Sequence, residues 1–140
     1  MLYLDTSILV SYYSPERESE RVERIITKIY QPAISYLTAV ELSSAVSRKI
    51  REKNLSHMDG SKIIRQFESH VAEKFFQMIP LEYKHFQTAQ KWISAFNTTL
   101  KSLDALHLAI SADINLPIFT ADSHLAKSAK FLGIGYKFLT

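Results

Sequence analysis

Cysteine is absent from the 140 residues, which excludes a disulfide framework and any thiolate metal site. The absence fits a reducing compartment. Three glycines and four prolines are too few for a flexible linker, and no repeat or low-complexity tract interrupts the chain. No apolar run approaches the ~20 residues of a membrane span, and no signal peptide is read ahead of the first strand. The expected location is therefore cytoplasmic, with no membrane attachment. Excess charge of one sign is small: 17 Lys and Arg against 14 Asp and Glu leave a formal net charge of +3. That permits an acidic partner such as nucleic acid without requiring one. What is present is ordinary for a globular chain, with 46% hydrophobic and 22% charged residues. Residues 1–140 read as one domain, long enough to bury roughly two-thirds of its unfolded surface.

The opening, MLYLDTSILVSYY, organises the rest. Leu2, Tyr3 and Leu4 form a short apolar run that stops at Asp5-Thr6-Ser7, the pattern of a buried strand ended by a polar cluster. Either hydroxyl is placed to cap a short helix over Ile8 to Tyr13. Ser14-Pro15 breaks it, and Glu16 to Tyr30 repeats apolar residues at helical spacing. Ala33 to Tyr36 reads as a second strand and Thr38 to Arg51 as a helix. A polar break over Asn54 to Gly60 precedes a helix from Ser61 to Phe75. Phe76 to Leu81 reads as a third strand, and Pro80 suggests that it lies at a sheet edge. Glu82 to Phe96 is helical by spacing, and Leu103 to Ile114 is apolar on nearly every side, as a buried helix would be. Ile118 to Thr120 makes a fourth strand, Ser123 to Leu132 a last helix, and Tyr136 to Leu139 a short final strand. Strands alternating with helices imply an α/β fold with a mainly parallel sheet of four to five strands and helices on both faces.

Direction alone then places four acids. In open parallel sheets ligands bind outside the carboxyl ends of the strands. Asp5 and Asp122 directly follow their strands, and Glu41 lies in the first turns of the helix leaving the second strand. Asp104 opens a helix that runs back before the fourth strand, so it starts from the same edge. The four meet only if the strands carrying Asp5 and Asp122 are neighbours. Two carboxylates ~5 Å apart repel by roughly 3 kcal/mol at an effective dielectric near 20. Four would have to share protons or bind hard divalent cations. Mg²⁺ or Mn²⁺ held this way can activate water and stabilise charge on a phosphodiester. Taken singly, Asp5 is accounted for by turn chemistry, and Asp104 and Asp122 by the helix dipole.

The segments LYLDTS, ISYLTAVELSSAV, LDALHLA and FTADSHLAKSAKFLG, in this order and spacing, resemble the PIN-domain family. The closer resemblance is to the VapC-like ribonuclease toxins of type II toxin–antitoxin modules. The resemblance implies a single PIN domain over 1–140 with a three-layer α/β/α sandwich. It also implies a metal-dependent endoribonuclease that hydrolyses RNA phosphodiester bonds. Asp5, Glu41, Asp104 and Asp122 would form the Mg²⁺ or Mn²⁺ pocket, with Thr6 and Ser7 steadying it. Thr120 lies just before the last acid. A homodimer and a cognate antitoxin whose tail enters the active-site groove are implied as well. Many relatives carry an arginine just before the third acid, where this chain reads Lys101-Ser102-Leu103, so a bidentate guanidinium contact would be lost.

Other residues carry less. His107, one turn after Asp104, reads first as a satisfied core histidine and second as a ligand or proton shuttle. His124 receives no role. Arg48, two turns beyond Glu41 on one face, reads equally as a phosphate contact or as part of a solvated basic face with Lys49, Arg51 and Lys53. Tyr12, Tyr13, Phe75, Phe76, Trp92 and Phe96 read as core or dimer contacts. A haloacid-dehalogenase-like phosphatase wants a second Asp where Ser7 stands, and a phosphoacceptor receiver wants an Asp where the chain has Pro80-Leu81-Glu82. A non-catalytic PIN-like binding scaffold is the alternative, and loss of a pocket acid would favour it; all four positions are filled.

Overall fold

A computed structural model describes residues Met1–Thr140. The first half contains β1 (Tyr3–Leu4), α1 (Thr6–Tyr13), α2 (Ser19–Ile26), β2 (Ala33–Ser35), α3 (Tyr36–Arg51) and α4 (His57–Ala72). The second contains β3 (Gln77–Ile79), α5 (Tyr83–Ser94), α6 (Ser102–Asp113), β4 (Ile118–Thr120), α7 (Ser123–Phe131) and β5 (Tyr136–Phe138). The five strands form one parallel sheet in the order β3-β2-β1-β4-β5. No helix is long and apolar enough to cross a membrane.

Alternation along very short strands builds the layers, because successive side chains point to opposite faces. Tyr3 aligns with Ala33 and Ile118, and these three join one core with α5, α6 and α7 through Ala89, Leu108 and Leu125. Leu4, Ile34 and Phe119 enter the other core with Ile8, Val22, Leu42 and Phe67, supplied by α1 to α4. The result is the expected three-layer α/β/α arrangement, with all five strands parallel. Full burial of a side chain such as Phe119 contributes about 1.5–3 kcal/mol.

Pro80 does follow an edge strand, since β3 ends the sheet. Several boundaries differ from the expectation for identifiable reasons. The helix after β1 begins at Thr6, and its N-cap is Asp5. Tyr36 belongs to α3, where the Ser35 N–H donates to Thr38 Oγ1 at 3.2 Å across the first turn. The helix assigned to Glu16–Tyr30 is regular only over Ser19–Ile26. The helix expected from Ser61 begins at His57, because Ser56 caps it by accepting the Asp59 N–H at 3.0 Å. Gly60 is therefore inside a helix rather than a breaker. A Cβ there would stand 2.6 Å from Ile50 Cδ1, so glycine lets α4 approach α3 closely.

Candidate metal centre at the strand ends

Parallel pairing of β1 with β4 answers the condition set by the sequence: the strands carrying Asp5 and Asp122 are neighbours. Asp5 is 6% exposed and occupies the N-cap of α1, yet its side chain makes no cap hydrogen bond. Its Oδ2 accepts instead from Ser7 Oγ at 2.7 Å and Thr120 Oγ1 at 2.8 Å. Turn chemistry does not describe this carboxylate. Thr120 Oγ1 in turn accepts the Asp122 N–H at 3.0 Å, so one buried hydroxyl ties the two aspartates together. Ser7 Oγ also accepts the Ala121 N–H at 3.0 Å. For Asp122 the cap reading holds for one oxygen: Oδ1 accepts the N–H groups of His124 and Leu125 at 2.8 and 3.4 Å.

Glu41 is held from two sides. Thr6 Oγ1 donates to its Oε1 at 2.8 Å, and the same oxygen meets His107 Nε2 in a short contact. A carboxylate only accepts, so the proton of this contact sits on Nε2. His107 Nδ1 lies 2.6 Å from the Tyr3 hydroxyl, which reaches Ser35 Oγ at 2.9 Å. Tyr3 and His107 are completely buried. A polar chain thus runs from the sheet interior to the rim through Ser35, Tyr3, His107 and Glu41. Burial holds the Tyr3 phenol well above its ordinary value, so it serves as a neutral hydrogen-bonding group.

The electrostatics record the convergence of the four acids. Burial, then the charges of Asp5 and Asp122, and to a smaller degree Glu41, push the Asp104 carboxyl up to about 6; His107 opposes them. Burial also pushes Glu41 upward, but its bonds to His107 and Thr6 outweigh this and the net shift is downward. Asp5, Asp104 and Asp122 have no lysine or arginine partner, and the single basic partner of Glu41 is His107. The rim is thus an all-oxygen donor set with unbalanced negative charge, the chemistry that suits a hard divalent cation.

The PIN domain family model matches residues 2–131. The chain belongs to the PIN domain family. No curated protein matches the sequence. Among solved structures, the chain is similar to FitAcB from Neisseria gonorrhoeae, with a TM-score of 0.75 at 16% identity, covering 99% of this chain and 97% of that one. It is also similar to VapC20 of Mycobacterium tuberculosis, described as a toxin that cleaves the sarcin-ricin loop. That match has a TM-score of 0.73 at 11% identity and covers 91% of this chain and 95% of the other. A toxin–antitoxin complex from Klebsiella pneumoniae follows at a TM-score of 0.62 and 20% identity, covering 90% of this chain and 91% of that one.

Within this PIN domain the structure brings Asp5, Thr6, Ser7, Glu41, Asp104 and Asp122 to one rim. His107 takes the place read first for it, a satisfied and buried core histidine, and it also orients Glu41. Tyr3 and Thr120 are the members that sequence reasoning passed over or merely noted. Tyr3 reads as an apolar strand residue, and its hydroxyl partner lies 104 positions away. The signal available in sequence was a hydroxyl, Thr120, two positions before the last acid.

The trio whose candidate ligand atoms all lie within 4.8 Å of one another is a different one, Glu82, His85 and Asp113; the four rim acids are not drawn that close. It lies nine residues further along α6 than Asp104, about 13 Å by helical rise. His85 Nδ1 accepts the Glu82 N–H at 2.9 Å while Nε2 contacts Asp113 Oδ2 at 2.9 Å. Lys84 Nζ sits 3.1 Å from Asp113 and 3.3 Å from Glu82. An ammonium already bridges both carboxylates and offsets part of their charge, so the trio reads as a cap and ion-pair network.

Proposed function

We propose that this PIN domain is an Mg²⁺- or Mn²⁺-dependent endoribonuclease and the toxin of a toxin–antitoxin module. It would act as a homodimer on RNA and be restrained by a cognate antitoxin. The observation that carries this reading is the Asp104 carboxyl, pushed up to about 6 among three further acids and no lysine or arginine. The PIN family and the likeness to structures described as toxins support it.

Asp5, Glu41, Asp104 and Asp122 would hold the ion, which when bound supplies a water of lowered pKa and neutralises charge on the phosphodiester. The remaining roles belong to the chain itself. Ser7 and Thr120 donate to Asp5 Oδ2 and restrain the carboxylate, and neither engages Oδ1. Thr6 and His107 do the same for Glu41 through Oε1. Such outer partners orient ligands and typically account for 10- to 100-fold in metal affinity or activity. Asp104, pushed up to about 6 by burial and then by its acidic neighbours, carries a charge that is disfavoured without a cation and would be favoured by one.

The test is digestion of a mixture of tRNA and ribosomal RNA by the purified protein in Mg²⁺, Mn²⁺ and EDTA, beside Asp104→Asn. Discrete fragments that require metal and vanish in the variant are expected. Full activity of Asp104→Asn would sink the assignment.

A further inference from the structure

Along α3, Leu37, Glu41, Ser44, Arg48 and Arg51 recur at helical spacing and form one stripe. That stripe walls a groove of about 460 Å³ which begins at Thr6, Ser7 and Glu41. Its apolar sides come from Val10, Leu37, Val40 and Leu103, of which Val40 is 68% and Leu103 43% exposed. Both arginines line the groove past the acids. By helical rise they lie about 10 and 15 Å beyond Glu41, within one run of nucleotides from the reacting phosphate but not at it.

The helix dipole accounts for basic residues in the last turn of α3, where Arg48, Lys49 and Arg51 all fall. It does not account for how they divide. Lys49 turns away to a 2.9 Å ion pair with Glu16, whereas the two arginines remain in the groove. Arg51 donates only to the Ser47 hydroxyl, and Arg48 stands 3.8 Å from Glu52 in a pair more than half exposed on both sides. An exposed pair of that kind exchanges readily for a stronger anion. Guanidinium groups suit phosphate by their fork geometry, and exposed Val40 and Leu103 offer apolar surface for a ribose or base. The acidic rim repels a polyanion, so a cationic contact beside it is where attraction for one must come from.

We infer that Arg48 and Arg51 are substrate-positioning residues which bind the phosphates of single-stranded RNA flanking the cleavage point, with Val10, Leu37, Val40 and Leu103 seating the intervening nucleotide. This rests on the ribonuclease reading for its purpose, and the test separates the two. In the cleavage-deficient Asp104→Asn background, binding of a short labelled oligouridine is measured across a salt series. Adding R48Q and R51Q should weaken binding about tenfold and lower the salt slope by about 1.4, at ~0.7 per phosphate contact on a single strand. R48K with R51K should keep most of the slope. R24Q with K28Q, on α2 and in the turn after it and not among the groove's lining residues, serves as the control and should change neither quantity. In the native background R48Q/R51Q should raise KM while kcat is retained, with an unchanged Tm.

An affinity and slope unmoved by R48Q/R51Q, or a loss that follows R24Q/K28Q instead, would overturn the inference. So would unchanged RNA binding alongside lost binding of an acidic protein partner, which would hand the groove to that partner. Arginine-dependent RNA binding without cleavage by the native protein would leave the groove assignment standing and remove the ribonuclease reading. Cleavage whose KM ignores R48Q/R51Q would do the reverse.

Discussion

The two ends of α6 set out the same residue types to different effect. Each end has a buried histidine against a carboxylate, His107 with Glu41 and His85 with Asp113. At the Asp113 end an ammonium, Lys84, sits between the two acids. His85 and then Lys84 hold Asp113 below its ordinary value, and Lys84 itself is raised by its bonds to Asp113 and Glu82. At the Asp104 end four acids face one histidine, and Asp104 is pushed up to about 6. A cluster with an ammonium between its carboxylates stabilises the fold; one without stores repulsion that a bound cation relieves. The lesson is that an ammonium among the acids, rather than the presence of His and carboxylates, separates a structural network from a candidate metal site.

The comparison breaks most sharply by substitution of the aspartate at either end. Asp104→Asn should lower metal-dependent RNA cleavage by more than about 100-fold, since outer-shell partners alone are worth 10- to 100-fold. Yet in metal-free buffer at neutral pH it should melt a few degrees above the native protein, on the order of 1 kcal/mol, because a disfavoured charge is gone. Asp113→Asn should leave cleavage unchanged and melt slightly lower. A native-like Tm for metal-free Asp104→Asn, or lost activity in Asp113→Asn, would remove the distinction.

His107→Ala should destabilise by about 2–4 kcal/mol, through a cavity and the loss of the buried bonds to Tyr3 and Glu41. His85→Ala should cost a similar amount by stranding the Glu82 N–H, but only the His107 variant should also weaken metal binding. Thermal melts with and without Mn²⁺ read both effects. The native protein should gain about 2.7 kcal/mol at a metal concentration 100 times Kd, and Asp104→Asn much less.

Thr120→Val sharpens the contrast at the level of one hydroxyl. It keeps the volume and removes the bond to Asp5 Oδ2 and the acceptor for the Asp122 N–H. Cleavage should fall 10- to 100-fold with about 1 kcal/mol of stability lost. The smallest effect is in pH. The folded pKa of Asp113 is depressed, so its contribution is present above the ordinary value of 3.8 and is lost as pH falls through the folded value. The Lys84 shift is upward, so its share is lost only as pH rises above 10.5. The Tm difference between native protein and Asp113→Asn should therefore be flat from about pH 5 to 9 and close in stronger acid. A difference that shrinks near neutrality would contradict the pairing.

Much of this was legible in the residues. The apolar run ending at Asp5 marked β1, and the all-round apolarity of Leu103–Ile114 marked α6, of which Ala105 to Ser111 are buried. Gly60 misled because glycine in a sequence reads as a breaker, and its partner Ile50 is visible only once α3 and α4 pack. Tyr36 misled because an aromatic next to a strand favours extension by propensity, and the Ser35–Thr38 cap outweighed it.

The sequence by itself determined the elements, their alternation and the edge on which each of the four acids falls. Those follow from local periodicity and from chain direction in a parallel sheet. Only the tertiary structure decided that β1 lies beside β4, that Thr120 bridges Asp5 to Asp122, and that Tyr3 and His107 support Glu41. Those are pairings between residues far apart in the chain. No local pattern records them, because their free energy depends on burial and geometry that exist only after the two cores have formed on either face of the sheet.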